Sequence, residues 1–175
     1  MKTKINNFVA AVLLLLFTAL SLTNAIAQEK SKKQLKEEQK LEKQKQIALL
    51  VESKEFVFSA VRVIPQGGGV LILTSEFDVV FQPDLIKSFL PFIGTGFSGI
   101  GYGGDEGMKF EGKPTLFQVD KTKKGYQIKI EVRGKTDLYS MMLDVYHNGS
   151  AYLNINSNNR SPISYDGTVD ALKKE

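Results

Sequence analysis

Few residues in this chain are equipped for chemistry. His147 is the only imidazole among 175 residues, and there is no cysteine. Thiol nucleophiles, disulfides, zinc–cysteine sites and iron–sulfur clusters are thereby excluded, and so is a multi-histidine metal site. A Ser-His-Asp arrangement would have to use His147, which falls at a predicted turn tip, where a general base lacks burial and an orienting partner. Glu76, Asp78, Glu111, Asp144 and Asp166 offer carboxylates, and glycoside hydrolysis needs two of them facing one another. Nothing in their spacing selects a pair. Asp105 and Glu106 are adjacent oxygen donors without the regular ligand spacing of a calcium loop. The sequence predicts no catalytic residue, no metal site and no cofactor.

Binding offers more material. Gly94-Thr95-Gly96-Phe97-Ser98-Gly99 matches G-x-G-x-x-G, but a dinucleotide site needs a strand before it and a helix after it. Pro91 lies upstream, and Gly101, Gly103 and Gly104 lie downstream, where no helix can start. Seven glycines between positions 94 and 107 suit a mobile flap instead. Phe89, Phe92, Phe97, Tyr102 and Phe110 surround this loop. They either line a pocket for an apolar small molecule or form the core beneath a long loop. Arg160, in the polar run 157–164, can clamp a carboxylate of the protein or of a ligand. These six residues are the candidate ligand-binding set.

The elements that must position them begin after a leader. Lys2 and Lys4 precede an apolar run over 8–22, and Ala25-Ile26-Ala27 supplies a small-x-small cleavage pattern. This is the pattern of a secretory signal peptide spanning 1–27, cut after Ala27, and the apolar run is short for a membrane span. The expected location is periplasmic or secreted, and no membrane span is expected after leader removal. With no cysteine after the apolar run, no lipid anchor is expected.

The formal charge of +4 is unevenly distributed. The leader holds two lysines, and residues 28–46 hold seven lysines against four glutamates. From Ile47 onward 14 basic residues face 15 acidic ones, so the remaining domain, 47–175, is near neutral. Nucleic acid is not an expected partner, because no basic stripe with interleaved aromatics lies inside the domain.

Residues 31–53 predict a helix: Ser31 with Gln34 forms a capping-box pattern, and no Gly or Pro interrupts the run. Its charged part, 28–46, is a helical or disordered lead-in, whereas Ile47 to Val51 are apolar and should dock on the domain. The period then changes to two. Strands are expected over 56–63, 70–74, 77–81, 108–111, 115–120, 126–133, 140–146, 151–156 and 162–169, with a short connecting helix over 83–89. Tyr126, Ile128, Ile130 and Val132 alternate strictly with Gln127, Lys129, Glu131 and Arg133, so one sheet face is buried and the pairing is antiparallel. At the turn before Ser150, a two-residue Asn148-Gly149 loop would set apolar side chains opposite polar ones. A three-residue loop, His147 to Gly149, pairs Val145 with Ala151, Leu143 with Leu153 and Met141 with Ile155, and requires Gly149 to be left-handed. The fold class is α+β, mostly β: a single curved antiparallel sheet of about seven to eight strands, sandwich or partial barrel, with an N-terminal helix and one short connecting helix.

Five blocks carry a resemblance to a known family: Phe56-Val57-Phe58; Leu73-Thr74-Ser75-Glu76-Phe77-Asp78; Ser88-Phe89-Leu90-Pro91-Phe92-Ile93-Gly94; Gly107-Met108-Lys109-Phe110-Glu111; and the run from Ser157 to Gly167. In these the chain resembles DUF4251, a domain-of-unknown-function family of exported Bacteroidota proteins. The resemblance covers roughly 52–170. It implies an exported protein and assigns no functional residue. Some relatives are lipoproteins, a pattern from which this cysteine-free chain departs.

The reading that follows is a non-catalytic, exported binding or interaction module whose partner is an apolar small molecule or an envelope protein. The alternatives are an envelope scaffold acting through the charged helix and a carboxylate-dependent glycan hydrolase.

Overall fold

The computed structural model describes residues 32–97 and 107–172. A helix, α1 (32–53), precedes ten strands: β1 (Phe56–Pro65), β2 (Leu71–Ile72), β3 (Asp78–Phe81), β4 (Ile86–Leu90), β5 (Met108–Gly112), β6 (Pro114–Thr122), β7 (Gly125–Arg133), β8 (Leu138–Tyr146), β9 (Ser150–Ser157) and β10 (Ile163–Asp170). The chain divides into two compact units, residues 1–42 and 43–175. In the first, every side chain from 32 to 42 is exposed, as expected for a helix segment of Lys, Glu and Gln with isolated leucines. In the second, Ile47 and Val51, one helical turn apart, are buried while Leu49 is 68% exposed. The apolar run therefore docks through one stripe rather than as a block.

All ten strands form one sheet in the order β5-β4-β3-β1-β10-β9-β8-β7-β6, with β2 added beside β1. Every pairing is antiparallel. The two outermost strands, β5 and β6, are consecutive in the chain and joined by Lys113 alone. One residue spans only a few ångströms, so the edges must meet and the sheet must curl. The result is a nearly closed barrel, not a sandwich. Where the edges approach, a Cβ on Gly112 would stand 2.5 Å from the Arg133 carbonyl oxygen, a contact that only glycine allows.

The interior is filled by alternate residues of each strand. Tyr126, Ile128, Ile130 and Val132 are buried while Glu131 and Arg133 are exposed, as the alternation predicts. Phe56 and Phe81, both fully buried, stack at 4.8 Å. The β8–β9 hairpin has the three-residue loop: Val145 faces Ala151, Leu143 faces Leu153, Met141 faces Ile155, and Gly149 has φ 88°.

Two expectations are corrected. The strands number ten among the described residues rather than seven or eight, and the segment expected as a short connecting helix over 83–89 contributes β4 instead. Ile86, Ser88 and Leu90 point inward and Lys87 and Phe89 outward, a period of two that lets the segment bury a face between β3 and β5. Pro83 serves a turn, with Gln82 and Leu85 exchanging backbone hydrogen bonds across Pro83-Asp84. Its fixed φ suits the second residue of such a turn as well as the first turn of a helix.

Candidate functional site

The polar run after β9 acts as a clamp. Gly96 and Arg160 form an isolated antiparallel bridge, flanked by hydrogen bonds from the Phe97 amide to the Asn159 carbonyl (2.7 Å) and from the Ser161 amide to the Thr95 carbonyl (2.9 Å). The Ser161 hydroxyl oxygen accepts from the Thr95 amide at 3.1 Å. The Arg160 guanidinium donates to the Gly107 carbonyl and lies 5.2 Å from the centre of the Phe92 ring. Both ends of the glycine-rich segment are thus tied to the same three-residue stretch, Asn159 to Ser161. Arg160 serves backbone and ring here, a structural use of the fork-shaped cation. Beneath it, the buried Tyr165 hydroxyl donates to the Pro91 carbonyl at 2.7 Å. Burial holds the Tyr165 hydroxyl well above its ordinary titration range, and the nearby Arg160 charge works weakly in the opposite sense.

Of the candidate aromatics, the structure brings two to one cavity. Phe89 is 45% exposed, stacks on Phe77 at 5.7 Å and carries the Lys109 ammonium 4.9 Å from its ring centre. Phe110 is buried and stacks on Tyr139 at 3.8 Å, the planes 11° from parallel. Both line a cavity of about 410 Å³ that also touches Lys87, Lys135 and Thr136. Phe92 and Phe97 do not line it; Phe92 packs under Arg160, and Phe97 is 67% exposed beside Asn159. Tyr102 lies outside the described residues, as do Asp105, Glu106 and the middle of the expected flap.

The cavity is built by the curl of the sheet. In the β4–β5 register Ser88 faces Phe110, Phe89 faces Lys109 and Lys87 faces Glu111. The Ser88 hydroxyl donates to the Met108 carbonyl at 2.7 Å, occupying a buried polar group close to the wall. Tyr139, Lys135 and Thr136 come from β8 and the turn before it, brought beside β5 by the closing edge. Sequence reading missed these three, because nothing local marks a residue that becomes a neighbour of β5 only through barrel closure.

The chemical inventory of the site is modest. Among the described residues Glu111 is the only carboxylate lining this cavity, so these residues do not assemble there the facing pair needed for glycoside hydrolysis. Asp166 pairs with Arg62 at 2.7 Å, and Asp144 accepts from the Gln127 amide at 3.0 Å. No group of three metal-ligating side chains occurs among the described residues. His147 sits at the turn tip as expected, but its ring is less open than the turn implied: it packs edge-on to Tyr126 at 6.3 Å, with Nδ1 buried and without a hydrogen-bond partner among the described residues.

Among the described residues no helix is long and apolar enough to cross a membrane. No curated protein matches the chain. A crystal structure of a DUF4251 family protein from Bacteroides eggerthii DSM 20697 is similar in fold, with a TM-score of 0.58 at 17% identity, over 74% of this chain and 87% of that one. The family model described as "Domain of unknown function (DUF4251)" matches residues 38–169, most of the chain and the whole of the curled sheet as far as the penultimate residue of β10. The chain belongs to the DUF4251 family.

Proposed function

We propose that this protein is an exported, non-catalytic binding module whose ligand occupies the cavity between β4, β5 and the start of β8. The observation that carries the reading is the parallel Phe110–Tyr139 stack forming one wall of a cavity of about 410 Å³. Binding cavities are concave, mainly apolar and supplied with a few polar groups, and this one has that make-up. Export rests on the leader pattern over 1–27, with cleavage after Ala27 and a periplasmic or secreted destination.

Native mass spectrometry of the protein purified from its own envelope tests both parts. A mass that begins at Gln28 and carries a stoichiometric small molecule supports the proposal. A retained leader overturns export, and a clean apo mass together with no binding across a panel of aromatic and acyl probes overturns the binding module.

The complete exposure of side chains 32–42 favours a second reading, an envelope scaffold that uses the charged helix as its contact element. Deleting 29–46 would then abolish capture of an envelope protein while leaving small-molecule binding intact.

A further inference from the structure

The lining of the same cavity carries more than the fact of binding: it selects a ligand class. We propose that it takes a small aromatic molecule bearing one anionic group, an inference that rests on the binding reading above. Three features point there. Phe110 and Tyr139, stacked 11° from parallel, line the cavity beside the half-exposed Phe89 ring, and an aromatic lining of this kind favours a flat aromatic ligand. Among the described residues three lysines, Lys87, Lys109 and Lys135, line the cavity against a single carboxylate, Glu111. Glu111 stands opposite Lys87 in the strand register, so among the described residues Lys109 and Lys135 are the cations without an opposing carboxylate in the lining. Finally, Lys109 is already held over the Phe89 ring, which places a positive charge next to an aromatic surface instead of leaving it to sweep through solvent. The domain that carries this local excess is itself near neutral from Ile47 onward. A volume of about 410 Å³ suits a molecule of one to three rings.

The test uses two probes with one ring frame: 1-anilinonaphthalene-8-sulfonate, which carries a sulfonate, and N-phenyl-1-naphthylamine, which does not. Each is titrated by fluorescence into the mature chain. The sulfonate should bind about tenfold more tightly at low salt, the value of one good charge-assisted contact, and added salt should narrow the gap. Lys109→Gln combined with Lys135→Gln changes two exposed side chains. It should weaken sulfonate binding about tenfold and leave the neutral probe within about twofold. Thr136→Trp, which sets an indole at the cavity from an exposed position, should weaken both probes.

Equal affinity for the two probes would overturn the anionic class while the binding module stands. An unchanged sulfonate affinity in the double lysine variant would do the same. Unchanged affinities in Thr136→Trp would move the probes to another place on the protein and overturn the assignment of the cavity. Failure of both probes to bind would remove the ligand class and count against the module itself. Thermal midpoints matching the parent chain establish that each variant is folded.

Discussion

Phe110 and Tyr139 lie on strands that are not neighbours in the sheet, yet their rings stack at 3.8 Å. Phe110 is on β5, an outermost strand, and Tyr139 is on β8, which reaches β5 only because the sheet curls until its edges meet. The pair therefore joins the two halves of the seam and forms a wall of the cavity at once. Stability and binding should respond together to its loss.

Phe110→Ala should destabilise the domain by about 3 kcal/mol, the cost of deleting a buried ring and leaving a partly filled hole, and Phe110→Leu by clearly less. Urea denaturation checks this. Equal midpoints for Phe110→Ala and the parent chain would mean that the seam contributes nothing to folding.

Gly149→Ala should cost about 1 kcal/mol or more. Gly149 has φ 88°, where a Cβ is disfavoured, and that Cβ would also stand 3.3 Å from the Ile47 side chain of α1. Coincident denaturation midpoints would contradict the hairpin geometry.

Arg160→Gln should loosen the clamp without unfolding the sheet. Amide hydrogen exchange at Phe97 and Ser161, whose N–H groups donate across the Gly96–Arg160 bridge, should accelerate about tenfold or more, while exchange at Ile128 and Leu143 stays slow. Uniform acceleration throughout the sheet would show instead that Arg160 supports the whole fold.

Tyr165→Phe should alter the alkaline limb of the stability curve. The ordinary tyrosine value is 10.0, and burial raises the folded value above it. Above about pH 10 the unfolded chain releases this proton while the folded chain keeps it, so the stability supplied by Tyr165 is complete below that pH and is lost as pH rises. The variant should lose about 1 kcal/mol at neutral pH, from the missing hydrogen bond to the Pro91 carbonyl, and decline less steeply between about pH 10 and 12. Parallel declines of the two proteins, followed by circular dichroism in denaturant, would refute the assignment.

The lining of the cavity is only partly legible in the sequence. Phe89 and Phe110 stand out by type and by closeness to the glycine-rich segment, and Arg160 as a fork-shaped cation in the polar run 157–164. The structure divides them between a cavity wall and a backbone clamp, since Phe89 and Arg160 belong to segments whose neighbours are set by strand order. Lys135, Thr136 and Tyr139 carried no signal, because a turn lysine and a strand tyrosine look alike wherever they occur.

By itself the sequence determined two features that depend on near neighbours. The period-two alternation of Tyr126 to Arg133 sets which face of β7 is buried, and the match of Leu143 to Leu153 sets the β8–β9 register. Each of these is decided by which side chains a short stretch can hide from water. Only the tertiary structure decided that 86–90 is a strand, that β1 lies between β3 and β10, and that β5 returns to the far edge of the sheet. Those outcomes depend on backbone hydrogen bonds and packing offered by partners distant in the chain. A short apolar segment such as Ile86 to Leu90 takes the conformation for which a partner edge is waiting.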